Sequence, residues 1–352
     1  MEKKYLTLYR TVKDKILSGE YKAGDKLPSK RVMADKFGYS VITVETAYNM
    51  LSDEGYVAPM ERCGYYVCEL DLFPAAAKKE SALTYLSDDI EEIQKNDFEY
   101  SVWFKTIRKV ISEKGDELFI KSPGKGCAIL RNAIADYLLR YRGMIAEPER
   151  IIIGSGAEQL YEIVVKILGR DKFYGIEDPS YSQIEAVYAS EGAKIKKLKM
   201  GSDGIESEAL KNNKINVLHV TPFHSYPTGV TTSILKRYEY LKWAQNERYI
   251  VEDDFNSEFF IPGQPIESLY TLDTQERVIY INTFSKSLSP SMRMGYMILP
   301  HGLMDTYDER LGQFSCSVPV LEQYILAEFI CSGNFERHLN RMRRKMKKSV
   351  ID

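Results

Sequence analysis

With 352 residues, 44% of them hydrophobic and 28% charged, the chain exceeds the usual size of one domain and has the composition of a soluble globular protein. A formal net charge of -2 excludes nucleic-acid binding through bulk charge, so any such contact needs a local patch. No apolar run is long enough to cross a bilayer, and the N-terminus MEKKYLTLYR lacks the apolar segment of a secretory signal. The five cysteines (Cys63, Cys68, Cys127, Cys316, Cys331) form no CxxC pair and, beside only four histidines, no metal-ligand cluster. The expectations are a reducing cytoplasm, no membrane partner and no metal.

Residues 5–17, YLTLYRTVKDKIL, set Tyr5, Tyr9, Val12 and Ile16 on one helical face, and Gly19 suits a stop. Ser29 can cap a short helix with Val32, Met33 and Phe37 facing inward. Gly38 then supplies a tight turn, and Ser40 can cap a second helix that buries Val44, Ala47, Tyr48 and Leu51. Thr43, Glu45 and Thr46 face outward on it. The stretches GYVAP and GYYVCEL, joined by MERCG, read as a β-hairpin with Gly64 at its tip. A tight helix-turn-helix with a trailing hairpin is the outline of a winged helix, and a generic three-helix domain fits the same outline.

The resemblance goes beyond outline. Residues 6–68, with Gly24, Pro28, Ser29, Arg31, Gly38, Ser40, Thr43, Val44 and Gly55 in order, resemble the DNA-binding domain of GntR-type bacterial regulators. The resemblance implies that Ser29, Lys30 and Arg31 lie near the duplex. It sets Ser40, Val41, Thr43, Glu45 and Thr46 toward the major groove, with Arg62 and Gly64 on the wing. Capping of their own helix, or plain surface exposure, is the competing use of Ser40 and Thr43. From Val41 to Leu51 there is no arginine or lysine. Base readout then falls to short hydroxyls and thymine-methyl contacts, and affinity to salt-sensitive phosphate contacts.

A charged linker is expected at 71–84, dividing a winged helix at 1–70 from a larger domain at 85–352. In that larger domain CAILRNAIADYLLRY is an amphipathic helix, and RIIIG is a strand running into the helix SGAEQLYEIVVKIL. Further strands are expected in KFYGIEDPSY, INVLHVTPFHSYPTGV, RYIVEDDF and RVIYINTFSK. Alternating strand and helix gives an α/β domain with a mostly parallel sheet, whose ligands collect at the carboxyl ends of the strands.

Those ends carry chemistry. Ser155, Gly156 and Ala157 sit at a strand-to-helix junction, where free N–H groups and the helix dipole favour phosphate. Asp253 and Asp254 end another strand, and Lys286 follows a third, with Thr283, Ser285 and Arg293 as further phosphate partners. Each feature alone is common. Together, an anion cradle, a ring-facing acid, a reactive amine and an arginine suit pyridoxal 5'-phosphate, and Tyr181 is placed to stack on its ring.

The elements YRGMIAEPERIIIGSGAEQ, IEDPSYSQIEAVYASEGAKI, VTPFHSYPTGVTTS, VEDDFNSEFF and INTFSKSLSPSMRMGYMILP resemble the second domain of MocR-type regulators. These are GntR-family transcription factors whose second domain is similar to a fold-type-I aminotransferase. The resemblance implies that Lys286 forms the internal aldimine, Asp253 faces the pyridine nitrogen and Tyr181 covers the ring. It sets Ser155, Gly156, Ala157, Thr283, Ser285 and Arg293 around the phosphate. Two departures stand out. Phe255 replaces the usual tyrosine that bonds the cofactor's 3'-oxygen, leaving Tyr226 or His224 to supply the contact. The chain also stops at FERHLNRMRRKMKKSVID, where the family continues into a small C-terminal domain that grips a substrate carboxylate.

The expected function is a PLP-dependent transcription regulator, a homodimer on a two-half-site operator, sensing PLP, an amino acid or another small amine. The alternatives are a PLP-dependent aminotransferase and a DNA-binding dimer with a scaffold domain that senses nothing.

Overall fold

The computed structural model describes residues 4–60, 63–69, 98–212, 214–245, 247–255, 257–259 and 267–349. Arg62 and the linker expected at 71–84 lie outside the described residues. The chain divides into two units, Met1–Ile90 and Glu91–Asp352, each taken here by itself.

The first unit contains α1 (Lys4–Leu17), α2 (Lys30–Phe37), α3 (Val41–Asp53) and the antiparallel hairpin β1 (Val57–Met60) and β2 (Gly64–Val67). Side-chain caps set its two short helices. Ser29 Oγ accepts the Val32 N–H at 3.3 Å, and Ser40 Oγ accepts the Thr43 N–H at 3.2 Å. Between them Gly38 turns the chain at φ 65°, a conformation that favours glycine. Leu8, Tyr9, Val12, Ile16, Met33, Ala34, Val44, Ala47, Tyr48 and Leu51 form the core, and Tyr48 donates to the Pro28 carbonyl at 2.9 Å. Two inward assignments need correction. Leu8 takes the buried place expected of Tyr5, which is half-buried in the first turn. Val32 is 56% exposed, because a helix that begins at Lys30 turns Met33 and Ala34 inward and leaves Val32 off that stripe.

The second unit is α/β. Its strands are β3 (Ile151–Gly154), β4 (Phe173–Asp178), β5 (Lys194–Lys199), β6 (Val217–Val220), β7 (Tyr249–Asp253), β8 (Val278–Thr283) and β9 (Gly295–Ile298). Around them lie α4 (Tyr100–Lys114), α5 (Ala128–Arg142), α6 (Ala157–Leu168), α7 (Ser182–Ser190), α8 (Ser207–Asn212), α9 (Ile234–Trp243), α10 (Leu269–Leu272), α11 (Met304–Leu311), α12 (Val320–Cys331) and α13 (Asn334–Ser349). The sheet order is β3-β9-β8-β7-β6-β4-β5. All neighbours from β8 to β5 are parallel, while β9 runs antiparallel to both β3 and β8.

Strands β3, β6, β8 and β9 are buried at every position, as a sheet covered by helices on both faces requires. Two strands carry no plain sequence signal. β5 reads KIKKLK because it is an edge, where lysines discourage further pairing. β9 is only GYMI, four residues that depend on β3 and β8 for their ladder. Among the described residues no helix is long and apolar enough to cross a membrane.

Candidate functional site

A cavity of about 350 Å³ opens among the carboxyl ends of β4, β6, β7 and β8 and the start of α6. It brings together Ala157, Tyr181, Tyr226, Asp253, Thr283, Ser285, Lys286 and Arg293, residues far apart in sequence. Gly156 stands just behind at φ 102°, where an added Cβ would lie 3.2 Å from Arg293 Nη2. Besides Gly156, two expected residues lie outside its lining. Ser155 sends its N–H and its Oγ to Gln159 Oε1, at 2.7 and 3.1 Å, so it serves the end of its own helix. His224 is exposed at φ 52° in the segment after β6.

The stretch VEDDF divides three acids by strand alternation and position. Glu252, fully buried, accepts the N–H groups of Leu269 and Tyr270 at 2.9 and 2.8 Å and so holds the start of α10. Asp254, also fully buried, accepts Arg142 Nη2 at 3.0 Å, Ser257 Oγ at 2.7 Å and Tyr280 OH at 2.8 Å. Asp253 alone lines the cavity. Its Oδ2 accepts the Tyr161 hydroxyl, and His219 Nε2 stands 3.7 Å off, beyond hydrogen-bonding range. Its Oδ1 is buried with no hydrogen-bond partner among the described residues. A buried carboxylate oxygen without a donor is costly unless a ligand supplies one. Tyr161 looks in the sequence like one more core residue of an apolar helix, and its hydroxyl gives no signal there.

Lys286 Nζ lies 5.0 Å from the Phe255 ring centroid and 5.9 Å from that of Phe259. The side chain is exposed by area, yet the protein around its ammonium displaces enough water to lower its pKa from 10.5. A larger fraction of neutral, nucleophilic amine follows. At the other end of the cavity Arg293 Nη2 is held by Glu158 Oε2 at 2.9 Å, a contact with no precedent in the motif reading. Tyr181 and Tyr226, 43% and 60% exposed, meet edge-on at 6.2 Å where the cavity opens to solvent. The donor set fits a flat ligand with an anionic end, a carbonyl and a protonated ring nitrogen. Among the described residues no group of acids, histidines and cysteines is placed to hold a metal.

Below the rim, Glu177 is buried at the end of β4. It accepts the Thr221 N–H at 3.1 Å and the Ser225 hydroxyl, pinning the segment that carries Tyr226. Burial pushes its pKa from 4.5 up to about 7.

In the first unit the expected DNA-facing hydroxyls are committed locally. Ser29 and Ser40 cap their helices, Thr43 Oγ1 meets Ser40 Oγ at 2.8 Å, and Thr46 Oγ1 donates to the Ile42 carbonyl at 2.9 Å. Lys30 and Glu45 form an ion pair that ties α2 to α3. Arg31 is exposed, as are Val41 at 42% and Ile42 at 74%. Gly64 opens β2 at φ 110°. Ile42 was not expected on the outward face, because an apolar residue in an apolar helix reads as core.

Residues 4–67 match the bacterial regulatory proteins of the gntR family, and residues 92–350 match the class I and II aminotransferases. An uncharacterized HTH-type transcriptional regulator of Bacillus subtilis, YdeL, is 36% identical over 355 residues, 98% of this chain and 77% of its own. The rhizopine catabolism regulatory protein MocR of Rhizobium meliloti is 30% identical over 362 residues, 96% of this chain and 73% of its own. The chain belongs to the MocR-type regulators of the GntR family. As a MocR-type regulator it joins a DNA-binding winged helix to a fold-type-I aminotransferase domain. That domain is similar to the α-aminoadipate aminotransferase LysN of Thermus thermophilus, with TM-score 0.62 and 26% identity. The likeness covers 70% of this chain and 64% of that one, so the regulator spans less than two thirds of the enzyme's length.

Glu177 yields a pH test. Its raised pKa means that the folded protein keeps a proton which the unfolded chain has lost. Its contribution is therefore complete below pH 4.5 and is lost as pH rises through about 7. In thermal unfolding followed from pH 5 to pH 8, Glu177→Gln should flatten part of the wild-type decline. An identical decline in both proteins refutes the assignment.

Proposed function

We propose that this MocR-type regulator binds pyridoxal 5'-phosphate covalently at Lys286 and that occupancy of the pocket alters its binding to DNA. The observation that carries the reading is the unpartnered, buried Oδ1 of Asp253 in the same cavity as a lysine of lowered pKa. When bound, this cofactor supplies an aldehyde that condenses with amines and a ring that withdraws electrons once its nitrogen is protonated. Asp253 Oδ1 would accept a hydrogen bond from that nitrogen and so keep it protonated, while Tyr161 occupies Oδ2 and keeps the carboxylate from turning away. Thr283, Ser285, Arg293 and the first turn of α6 receive the phosphate, and Tyr181 covers the ring. Tyr226 supplies the hydroxyl that Phe255 lacks. The effector is PLP itself, an amino acid or another small amine. Gln183, beside Tyr181, offers no charge for an acidic one.

A homodimer on an operator with two half-sites matches a two-state sensor, because an effector that favours one dimer arrangement changes the spacing of the two reading helices. Arg31 contacts phosphate, while Val41 and Ile42, exposed at the N-terminal turn of α3, meet thymine methyls.

Three measurements follow. Wild-type protein mixed with PLP should show a visible absorption band that Lys286→Ala abolishes, and DNA affinity should differ with and without cofactor; absence of the band sinks the sensor. Sustained turnover of amino acids would make the protein an enzyme instead. On duplexes selected from a random pool, Arg31→Ala should weaken binding to all sequences alike and lower the salt slope by about one. Uracil in place of thymine should weaken wild-type binding at selected positions, and equal affinity would remove the two apolar residues from the interface.

A further inference from the structure

At the Arg293 end of the pocket, and just behind it, two donors already have acceptors within the chain. Arg293 Nη2 donates to Glu158 Oε2 at 2.9 Å, and the Ser155 N–H at the head of α6 donates to Gln159 Oε1 at 2.7 Å. Glu158 itself lines the cavity, so the lining's charged side chains balance: Lys286 and Arg293 against Glu158 and Asp253. A phosphate ester entering here meets a carboxylate on the guanidinium it needs, and like charges at one site repel. The pair is built to open. Its side chains are 54% exposed for Arg293 and 43% for Glu158, so either can return to water with little desolvation cost.

We propose that Glu158 is an internal competitor for the phosphate end of the ligand. It holds Arg293 and must leave when a phosphorylated ligand binds, which lowers affinity for that class of ligand. An enzyme gains by keeping its cofactor, whereas a sensor needs occupancy to follow concentration. A weakened anion clamp serves the second need, since the fraction bound changes most near the dissociation constant. The inference rests on the reading of the pocket as a cofactor site and assigns the residue that sets its working range.

The experiment titrates wild type, Glu158→Gln and Glu158→Ala with PLP and with phosphate-free pyridoxal at constant ionic strength, reading the visible band. Inorganic phosphate is titrated separately by calorimetry into each protein in the Lys286→Ala background. Both Glu158 variants should bind PLP about tenfold more tightly, as expected when one like charge is removed from beside a charge-assisted contact. Pyridoxal affinity should stay within about twofold, since it lacks the group that competes, and inorganic phosphate should tighten in parallel with PLP. PLP affinity that is unchanged or weaker in both variants, with a normal wild-type band, overturns the role of Glu158 and leaves the cofactor site standing. If neither aldehyde gives a Lys286-dependent band in wild type, the cofactor reading falls and takes this one with it.

Discussion

Three consecutive carboxylates at the end of one central strand must each find a donor, and the second unit is arranged around that demand. Glu252 takes two backbone N–H groups, and Asp254 takes an arginine, a serine and a tyrosine. Asp253 receives a single phenol and keeps one oxygen bare. The satisfied pair anchors β7 to α10, α5 and β8, and that anchoring holds the unsatisfied acid still. A buried lone oxygen persists only because its neighbours are over-determined. Remove the Arg142 contact and Asp254 stays buried with neutral donors only, the loss of an ion-pair partner that costs about 3–5 kcal/mol in buried pairs.

The parallel arrangement supplies the second requirement. All strands of this sheet but β9 run the same way and deliver their carboxyl ends to one rim, so Glu177, Thr221, Asp253 and Thr283 converge although they are far apart in the chain. The insertion of antiparallel β9 places the loop from Phe284 to Met294 back over that rim, with Ser285, Lys286 and Arg293 on it. Glu177 then fixes the segment bearing Tyr226 from below. Rigid strand ends and a few side-chain clasps are enough to present an amine, an acid and a cation around one cavity.

In the winged helix the same competition for hydrogen bonds runs in the opposite direction. Short helices joined by a tight turn need caps, and the serines and threonines nearest the expected DNA face spend their hydroxyls on their own backbone. The surface left at the start of α3 is therefore apolar, with Val41 and Ile42 outward and Glu45 drawn to Lys30. In both units a polar side chain that repairs local structure is poorly free for a further partner.

Local pattern was enough for much of this protein. The caps at Ser29 and Ser40, the turn at Gly38, the buried face of α3, the hairpin and the alternation of strand and helix all rest on contacts within a few residues, which sequence spacing records directly. The motif residues Asp253, Thr283, Ser285, Lys286 and Arg293 were legible because their chemistry is unusual as a set. Tertiary structure alone decided the rest. It paired Tyr161 with Asp253 and Glu158 with Arg293, turned Ser155 onto Gln159, and left His224 outside the cavity lining. It also revealed β5 and β9, whose sequences carry too little apolar alternation to stand apart from a lysine-rich edge or a short loop return. The Tyr161–Asp253 and Glu158–Arg293 pairs join groups 92 and 135 residues apart, and β5 and β9 rest on neighbour strands, so no local period encodes those meetings.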